Sequence, residues 1–378
     1  MTFDYLNQPD TIDTANAWTP PTAARYTDQD IELAISRFPK TRYYGSKRRL
    51  LNWIYQAVKD LPFNTVLDGF GGTASVSLLF KAMGKQVYYH DALLCNTISA
   101  QALLADELPF SDPREAHEFI DGIKPKNGFI ANTFPEMYFT DDENRWLDGA
   151  AEAIHAVNNP LQRSVYLYCL FQACLKKRPF NLFHRANLNL RLNQNVNRSF
   201  GNWVTWERAF ADLMKESFKD LINIQHHKLG KTTILPAGNI SRLNNGYDLV
   251  YLDPPYVGKT KTGDDYLRRY HFLEGLGVYN EWQEKINFTS TNKTFHPIEH
   301  LTKWQSKKDF RDLLFDTIKR HNKSIVVLSY ITNGFPEEDD ISALFRSTFR
   351  KNHVLRKEFC HALAKERKVE LLFTGTNI

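Results

Sequence analysis

Cysteine is scarce. The 378 residues contain four (Cys95, Cys169, Cys174 and Cys360), and no two form a CxxC pair. This excludes a zinc ribbon or a dithiol redox motif and marks the four as reduced core or near-core thiols of a cytoplasmic protein. The 12 histidines include no HExxH pattern, and no metal is expected. No apolar run approaches the ~20 residues of a membrane span. The opening "MTFDYLNQPDTIDTANAWTPPTAARYTD" lacks the basic start and apolar stretch of a signal peptide and reads as a polar arm. There is no GxGxxG, which weighs against a pyrophosphate-binding oxidoreductase, and no Walker lysine, which weighs against an NTPase. The excess of positive charge is only +5, so where the charges cluster matters more than their total.

What is present is a real core, with 42% hydrophobic and 13% aromatic residues. "RYYGSKRRLLNWIYQAV" begins at Arg42. Gly45 and Ser46 suit a turn and helix cap, and Leu50, Leu51, Ile54 and Val58 recur at helical spacing. "NTVLDGFGGTASVSLLFKAMG" reads as strand, glycine turn and helix, and "QVYYHD" as a second strand. Residues 92–230 are mostly helical. "TTILPAGN", "YDLVYLD" and "SIVVLSY" read as further strands, with the helix "DFRDLLFDTIKRH" between the last two. "PEEDD" (336–340) reads as a solvated loop. "HVLRKEF" and "VELLFTG" read as a closing antiparallel pair, because the link between them is too short for a crossover helix. Strands alternating with helices predict a mainly parallel α/β sheet covered on both faces.

Two strand ends carry chemistry. In "VLDGFGGTA", Asp68 ends a strand, and Gly69, Gly71 and Gly72 lead into a helix. Small residues let a ligand approach the backbone, and the helix start offers unpaired N–H groups. The spacing suits a ligand with adenosine but no phosphate. Asp91, at the end of the second strand, stands where α/β nucleotide folds hold ribose hydroxyls. Asn239, after the third strand, can accept from an adenine amino group. In "DLVYLDPPYVG" (248–258), Pro254 and Pro255 stop the ladder and leave Asp253 at the carboxyl edge, where ligands bind open α/β sheets.

The order of "RYYGSK", "DGFGGTA", a long helical and basic region and "DPPY" resembles the α-group, Dam-type DNA adenine N(6)-methyltransferases over most of the chain, from about residue 40 onward. The resemblance implies a Rossmann-like class I methyltransferase sheet and S-adenosylmethionine as methyl donor. It implies cofactor contacts at Tyr43, Gly45, Lys47, Asp68, Phe70, Gly72, Asp91, Asn239 and Asp253, and a catalytic block of Asp253, Pro254, Pro255 and Tyr256. Ser329 and Tyr330 match a later block beside the target pocket. The chain departs from the family pattern at Ala74, where a glycine is frequent, and at Asn239, where an acid is frequent.

The implied chemistry accounts for the "DPPY" block. The adenine amino lone pair is conjugated with the ring and needs acceptors that draw on its hydrogens. The Asp253 carboxylate and the Pro254 carbonyl can serve, Tyr256 can stack on the base, and the base must be flipped out of the duplex. The absence of a Pro-Cys dipeptide argues against cytosine carbon-5 chemistry. Cytosine N(4) and adenine in RNA remain as alternative acceptors, and a catalytically inactive DNA-binding protein as the alternative of another class.

The expected organisation is an arm at 1–38, a catalytic domain at 39–103 and 231–378, and a helical target-recognition region at 104–230. The expected partner is double-stranded DNA met by a monomer in the cytoplasm, at the nucleoid, with a separate cognate restriction endonuclease as a further partner. Recognition is expected in residues 176–208, where seven basic residues stand against one acid, Glu207, amid many Asn and Gln. Lys177, Arg178, Arg185, Arg191, Asn193, Asn195 and Arg198 are the candidate DNA contacts, since Arg suits guanine edges and Asn adenine edges. The aromatic insertion 258–306 is expected to close over substrate, bringing Tyr266, Tyr270 or Phe272 near the flipped base.

Overall fold

The computed structural model describes residues 26–41, 43–178, 183–184, 186–193, 195, 203–224, 230–258, 263–360 and 367–378. Short apolar runs build its sheet: β1 (Thr65–Asp68), β2 (Gln86–Tyr89), β3 (Thr232–Ile234), β4 (Leu249–Leu252), β5 (Ile325–Ile331), β6 (Lys351–Cys360) and β7 (Arg367–Thr376). Their order is β3-β2-β1-β4-β5-β7-β6. The first five run parallel, and β7 is antiparallel to both β5 and β6. This is the expected mainly parallel sheet with its closing antiparallel pair.

Side chains alternate across the sheet and feed two apolar layers. Val66, Leu249, Tyr251, Ile325 and Val327 join one core, while Leu67, Val250, Leu252, Val326 and Leu328 join the other. Both faces are therefore dry, which is why these strands read as continuous apolar runs. The strand order reverses between β1 and β4, and the acids at their carboxyl ends face one crevice there.

The first core does not stop at the sheet. It continues through Leu94–Leu104, Pro160–Lys176 and Phe210–Ile224, so the helical stretch within 104–230 shares its packing with the sheet. The helix Asp28–Arg37 also joins it: Thr27 and Asp30 form a capping box, and Ile31 and Ala34 are buried. From there on, the expected arm is part of the folded body. "PEEDD" is a helix start, not a loop: Glu337 and Asp340 form a capping box for Glu338–Thr348. The acidic run that looked solvated satisfies the helix's first N–H groups and its dipole.

In the aromatic insertion Tyr266 lines the cleft at the sheet edge, and Phe272 is the residue that differs from expectation. Tyr266–Gly277 is a largely buried helix. Gly275 lets it meet Trp282, whose ring would lie within 1.8 Å of any added Cβ. Phe272 is fully buried, with the rings of Phe183 at 5.1 Å, Trp282 at 5.2 Å and Phe134 at 5.4 Å. It is a core residue and not a lid residue. Phe272→Ala is expected to lower stability by about 3–5 kcal/mol, read from denaturant unfolding. A loss below about 0.5 kcal/mol would fit a surface residue instead.

Candidate active site

The glycine loop after β1 is built by close approach. A Cβ on Gly71 would lie 2.1 Å from the Tyr89 ring, and one on Gly69 would lie 2.6 Å from Ile240. Gly72 has φ +48°. Ala74, which caps the helix Ser75–Ala82, has φ +57°, a left-handed conformation that costs a non-glycine residue roughly 1–2 kcal/mol. The departure from the family glycine is thus a strained one. The loop is pinned from β2: the Gly71 N–H donates to the His90 carbonyl at 2.8 Å, and the Gly72 N–H donates to Asp91 Oδ2 at 2.9 Å. Asp91 Oδ1 accepts from the Leu93 N–H at 2.8 Å and from Asn96 at 3.0 Å.

Outside this loop is an open cleft at the carboxyl edge of the sheet. Tyr43, Gly45, Lys47, Asp68, Phe70, Gly72, Asp91 and Asp253 all line it. Tyr43 is fixed by stacking on Tyr270, 4.4 Å between centroids, and by accepting a hydrogen bond from Asn96 at 2.9 Å. Three buried polar atoms on lining residues have no hydrogen-bond partner among the described residues: Asp68 Oδ1, the Tyr251 hydroxyl and His300 Nε2. Burial pushes the Asp68 pKa up to about 7, against a hydrogen bond from Ser77 and with the charges of Asp253 and Asp91 adding to the rise. Asn239 does not line the cleft. Its side chain accepts from the Ser241 N–H at 3.1 Å and caps the turn Ile240–Arg242, so the adenine-facing expectation for it is corrected. His300 and Trp304 line the cleft instead, and no sequence motif marked either of them.

The "DPPY" block ends β4 on the same cleft. Asp253 and Pro255 line it, with Pro254 buried behind. Lys47 reaches across from the 3-10 turn Lys47–Leu50, which Ser46 caps. Its Nζ lies 3.0 Å from Asp253 Oδ1 and 3.7 Å from Glu370 Oε2, and it donates to the Tyr256 hydroxyl at 2.6 Å. The Tyr256 hydroxyl lies 3.1 Å from Asp253 Oδ1 and 3.2 Å from Glu370 Oε2. Tyr256 thus braces Asp253, and its ring meets Tyr330 edge-on at 5.9 Å. Ser329 and Tyr330 are buried in β5 beside this cluster. Burial raises the Asp253 pKa above its usual value, with Lys47 and Tyr256 opposing the rise. Burial works against the Lys47 charge, but Asp253 and Glu370 outweigh it and lift its pKa.

A family model described as D12 class N6 adenine-specific DNA methyltransferase matches residues 43–327, three-quarters of the chain, with the glycine loop and the "DPPY" block inside the match. The chain belongs to this family. It is 24% identical over 357 residues to the type II methyltransferase M2.HphI of Haemophilus parahaemolyticus, covering 90% of this chain and 98% of that protein. It is 23% identical over 322 residues to the type II methyltransferase M.FokI of Planomicrobium okeanokoites, and 24% identical over 324 residues to the modification methylase LlaI of Lactococcus lactis subsp. lactis. Those two matches cover 81% of this chain but only 47% and 48% of the relatives, so the chain spans about half the length of each. The protein is a site-specific DNA methyltransferase acting on adenine N6, and its family implies S-adenosylmethionine as methyl donor. No group of His, Cys, Asp and Glu suited to a metal ion occurs among the described residues.

The methyltransferase uses part of its basic segment internally. Lys177, Arg178 and Arg191 are buried. Glu143 pairs with Lys177 at 2.8 Å and receives a two-pronged contact from Arg191, one prong at 2.7 Å. Arg178 donates to the Tyr138 and His184 carbonyls and lies over the Tyr138 ring at 5.2 Å. This placement corrects their assignment as DNA contacts: charged groups this buried are held by their partners and are not available to a groove. Asn193 and Asn195 are exposed, and Asn193 Oδ1 accepts from the Asn195 N–H at 2.9 Å. Arg185 and Arg198 lie outside the described residues.

The Glu143 cluster makes a pH-dependent prediction. Burial alone would raise the Glu143 pKa, but Arg191 and Lys177 outweigh burial and hold it below 4.5. A depressed folded-state pKa means that stability is fully present above the unfolded value and is lost as pH falls through the folded one. Glu143→Gln, which strands two buried cations, is expected to cost about 3–5 kcal/mol near neutral pH. It should also flatten the loss of stability expected of the wild type as pH falls below about 4.5, read from acid titrations of both proteins.

Proposed function

We propose that S-adenosylmethionine occupies the cleft between β1 and β4 and that Asp253, with the Pro254 carbonyl, accepts hydrogen bonds from the amino group of a flipped adenine. The observation that carries this reading is that Asp253 lines the same cleft as the glycine loop, Asp68 and Asp91. The bound cofactor supplies an electrophilic methyl group. Glycine-loop backbone, the free Asp68 Oδ1 and the free His300 Nε2 are the groups fitted to hold it. Asp91 has about four acceptor positions. Three are taken by Gly72, Leu93 and Asn96, which leaves one for a ribose hydroxyl while the others fix the loop.

Asp253 pulls on the adenine N–H groups and favours the tetrahedral nitrogen needed for attack. Lys47 and Tyr256 hold its carboxylate in place, and the two prolines stiffen the backbone that presents the Pro254 carbonyl. Target recognition falls to the helical region 104–230, with the exposed Asn193 and Asn195, and Arg185 and Arg198, as the candidate DNA contacts. Catalysis falls to 39–103 and 231–378. The names of the relatives support a role as the modification partner of a separate restriction endonuclease, and we expect a monomer acting at the nucleoid.

Two substitutions test the site. Asp253→Ala is expected to lower methyl transfer to duplex DNA by a factor of ~100 or more, with the circular dichroism spectrum unchanged. Near-normal turnover would remove Asp253 from the reaction. Asp91→Ala removes a charge-assisted bond worth ~1.5–3 kcal/mol and frees the loop, so S-adenosylmethionine should bind at least about tenfold more weakly by calorimetry. Unchanged cofactor affinity would contradict the ribose role.

A further inference from the structure

Glu370 stands outside the residues matched by the family model, yet it pairs with Lys47, the cation that holds Asp253. The antiparallel pairing of β7 with β5 puts it opposite Ile331, at the carboxyl end of β5 where the cleft opens. Its side chain is only 8% exposed, and that of Lys47 only 6%. A carboxylate in so dry a place needs donors. Two of those around Glu370, the Lys47 ammonium and the Tyr256 hydroxyl, also contact Asp253.

Tyr256 has one hydroxyl proton and accepts from Lys47, so it donates to Asp253 or to Glu370 but not to both at once. The Lys47 charge is likewise shared between the two carboxylates. We infer that Glu370 is a positioning residue for methyl transfer: it draws the Lys47 ammonium and the Tyr256 proton toward itself, leaving the Asp253 carboxylate more basic toward the adenine amino group. The inference rests on the reading of Asp253 given above.

The adenine nitrogen forms its bond to the methyl carbon as the carbon–sulfur bond breaks and its electron pair passes to sulfur. The nitrogen, now positively charged, gives an N–H proton to Asp253 and thence to water. An Asp253 that alone holds the Lys47 ammonium and the Tyr256 proton is a weaker base for that proton.

The other ionisable groups facing Asp253 are Asp68 from β1, Tyr251 from β4 and Tyr266 from the helix Tyr266–Gly277. Glu370 faces Lys47, Tyr256 and Tyr251, with Lys357 as its register partner on β6. Removing the Glu370 charge leaves the Lys47 ammonium to Asp253 alone, which lowers the Asp253 pKa.

The test compares full-length wild type, Glu370→Gln and Asp253→Asn in methyl transfer from labelled S-adenosylmethionine to duplex DNA across pH. Glu370→Gln is expected to lower kcat about tenfold or more, the size of a general-base effect partly lost. KM for S-adenosylmethionine should change less than about threefold, because the cofactor contacts stay in place. The acidic limb of the kcat profile should move to lower pH by roughly half a unit or more.

A kcat within about twofold of wild type overturns the inference, as does a fall in kcat whose acidic limb stays put or moves up, since that is what a merely structural residue gives. Glu370→Ala, which removes the same charge and leaves space, is read in the same way if the Gln variant does not fold. An active Asp253→Asn would overturn the reading of Asp253 itself. An inactive Asp253→Asn beside an unmoved Glu370→Gln profile overturns only the role of Glu370.

Discussion

A single ammonium, that of Lys47, sits in a largely dry pocket against two carboxylates and a phenol. Burying charge is expensive unless partners replace water, and here each group is a partner of the others. The cluster ties three distant parts of the chain: the turn before the first strand, the end of β4 and the beginning of β7. Each must be in register for the other two to be satisfied. The fold and the site are in this sense one construction, since the sheet order that brings β1, β4, β5 and β7 side by side also gathers their polar ends.

The same logic governs the cofactor side. Parallel pairing aligns Asp68 with Tyr89 and with Tyr251, so Asp91 and Asp253, each two residues further on, flank Asp68 at one edge. Three acids this close repel one another, and a fold tolerates them only where something divides the charge. Backbone N–H groups neutralise Asp91, Lys47 neutralises Asp253, and Asp68 is left with its pKa near 7 and an unpartnered oxygen. That unequal treatment marks the crevice as a binding site and not as a packing defect.

Much of this was legible in the sequence, because local chemistry wrote it there. Apolar runs ending in an acid, the glycine triplet and the double proline each have one sensible place in an α/β sheet. Glu370 had no such signature: it lies within "VELLFTG", and only the β5–β7 register, a long-range property, turns it toward Lys47. The basic stretch misled for the opposite reason. Lys177, Arg178 and Arg191 look like groove-reading side chains, but the partner that turns Lys177 and Arg191 inward is Glu143, more than thirty residues earlier. Asn239 and "PEEDD" were each read for charge or hydrogen-bonding capacity, and in both places the nearby backbone took that capacity as a cap.

The central claim is that the Lys47-held Asp253 directs methyl transfer to the amino group of adenine in DNA. The most direct measurement is nucleoside mass spectrometry of duplex DNA incubated with purified protein and methyl-deuterated S-adenosylmethionine, run beside the Asp253→Asn protein. The account predicts deuterated N6-methyladenine with the wild type and none with the variant. Deuterium on cytosine, or equal label on adenine from both proteins, would contradict it.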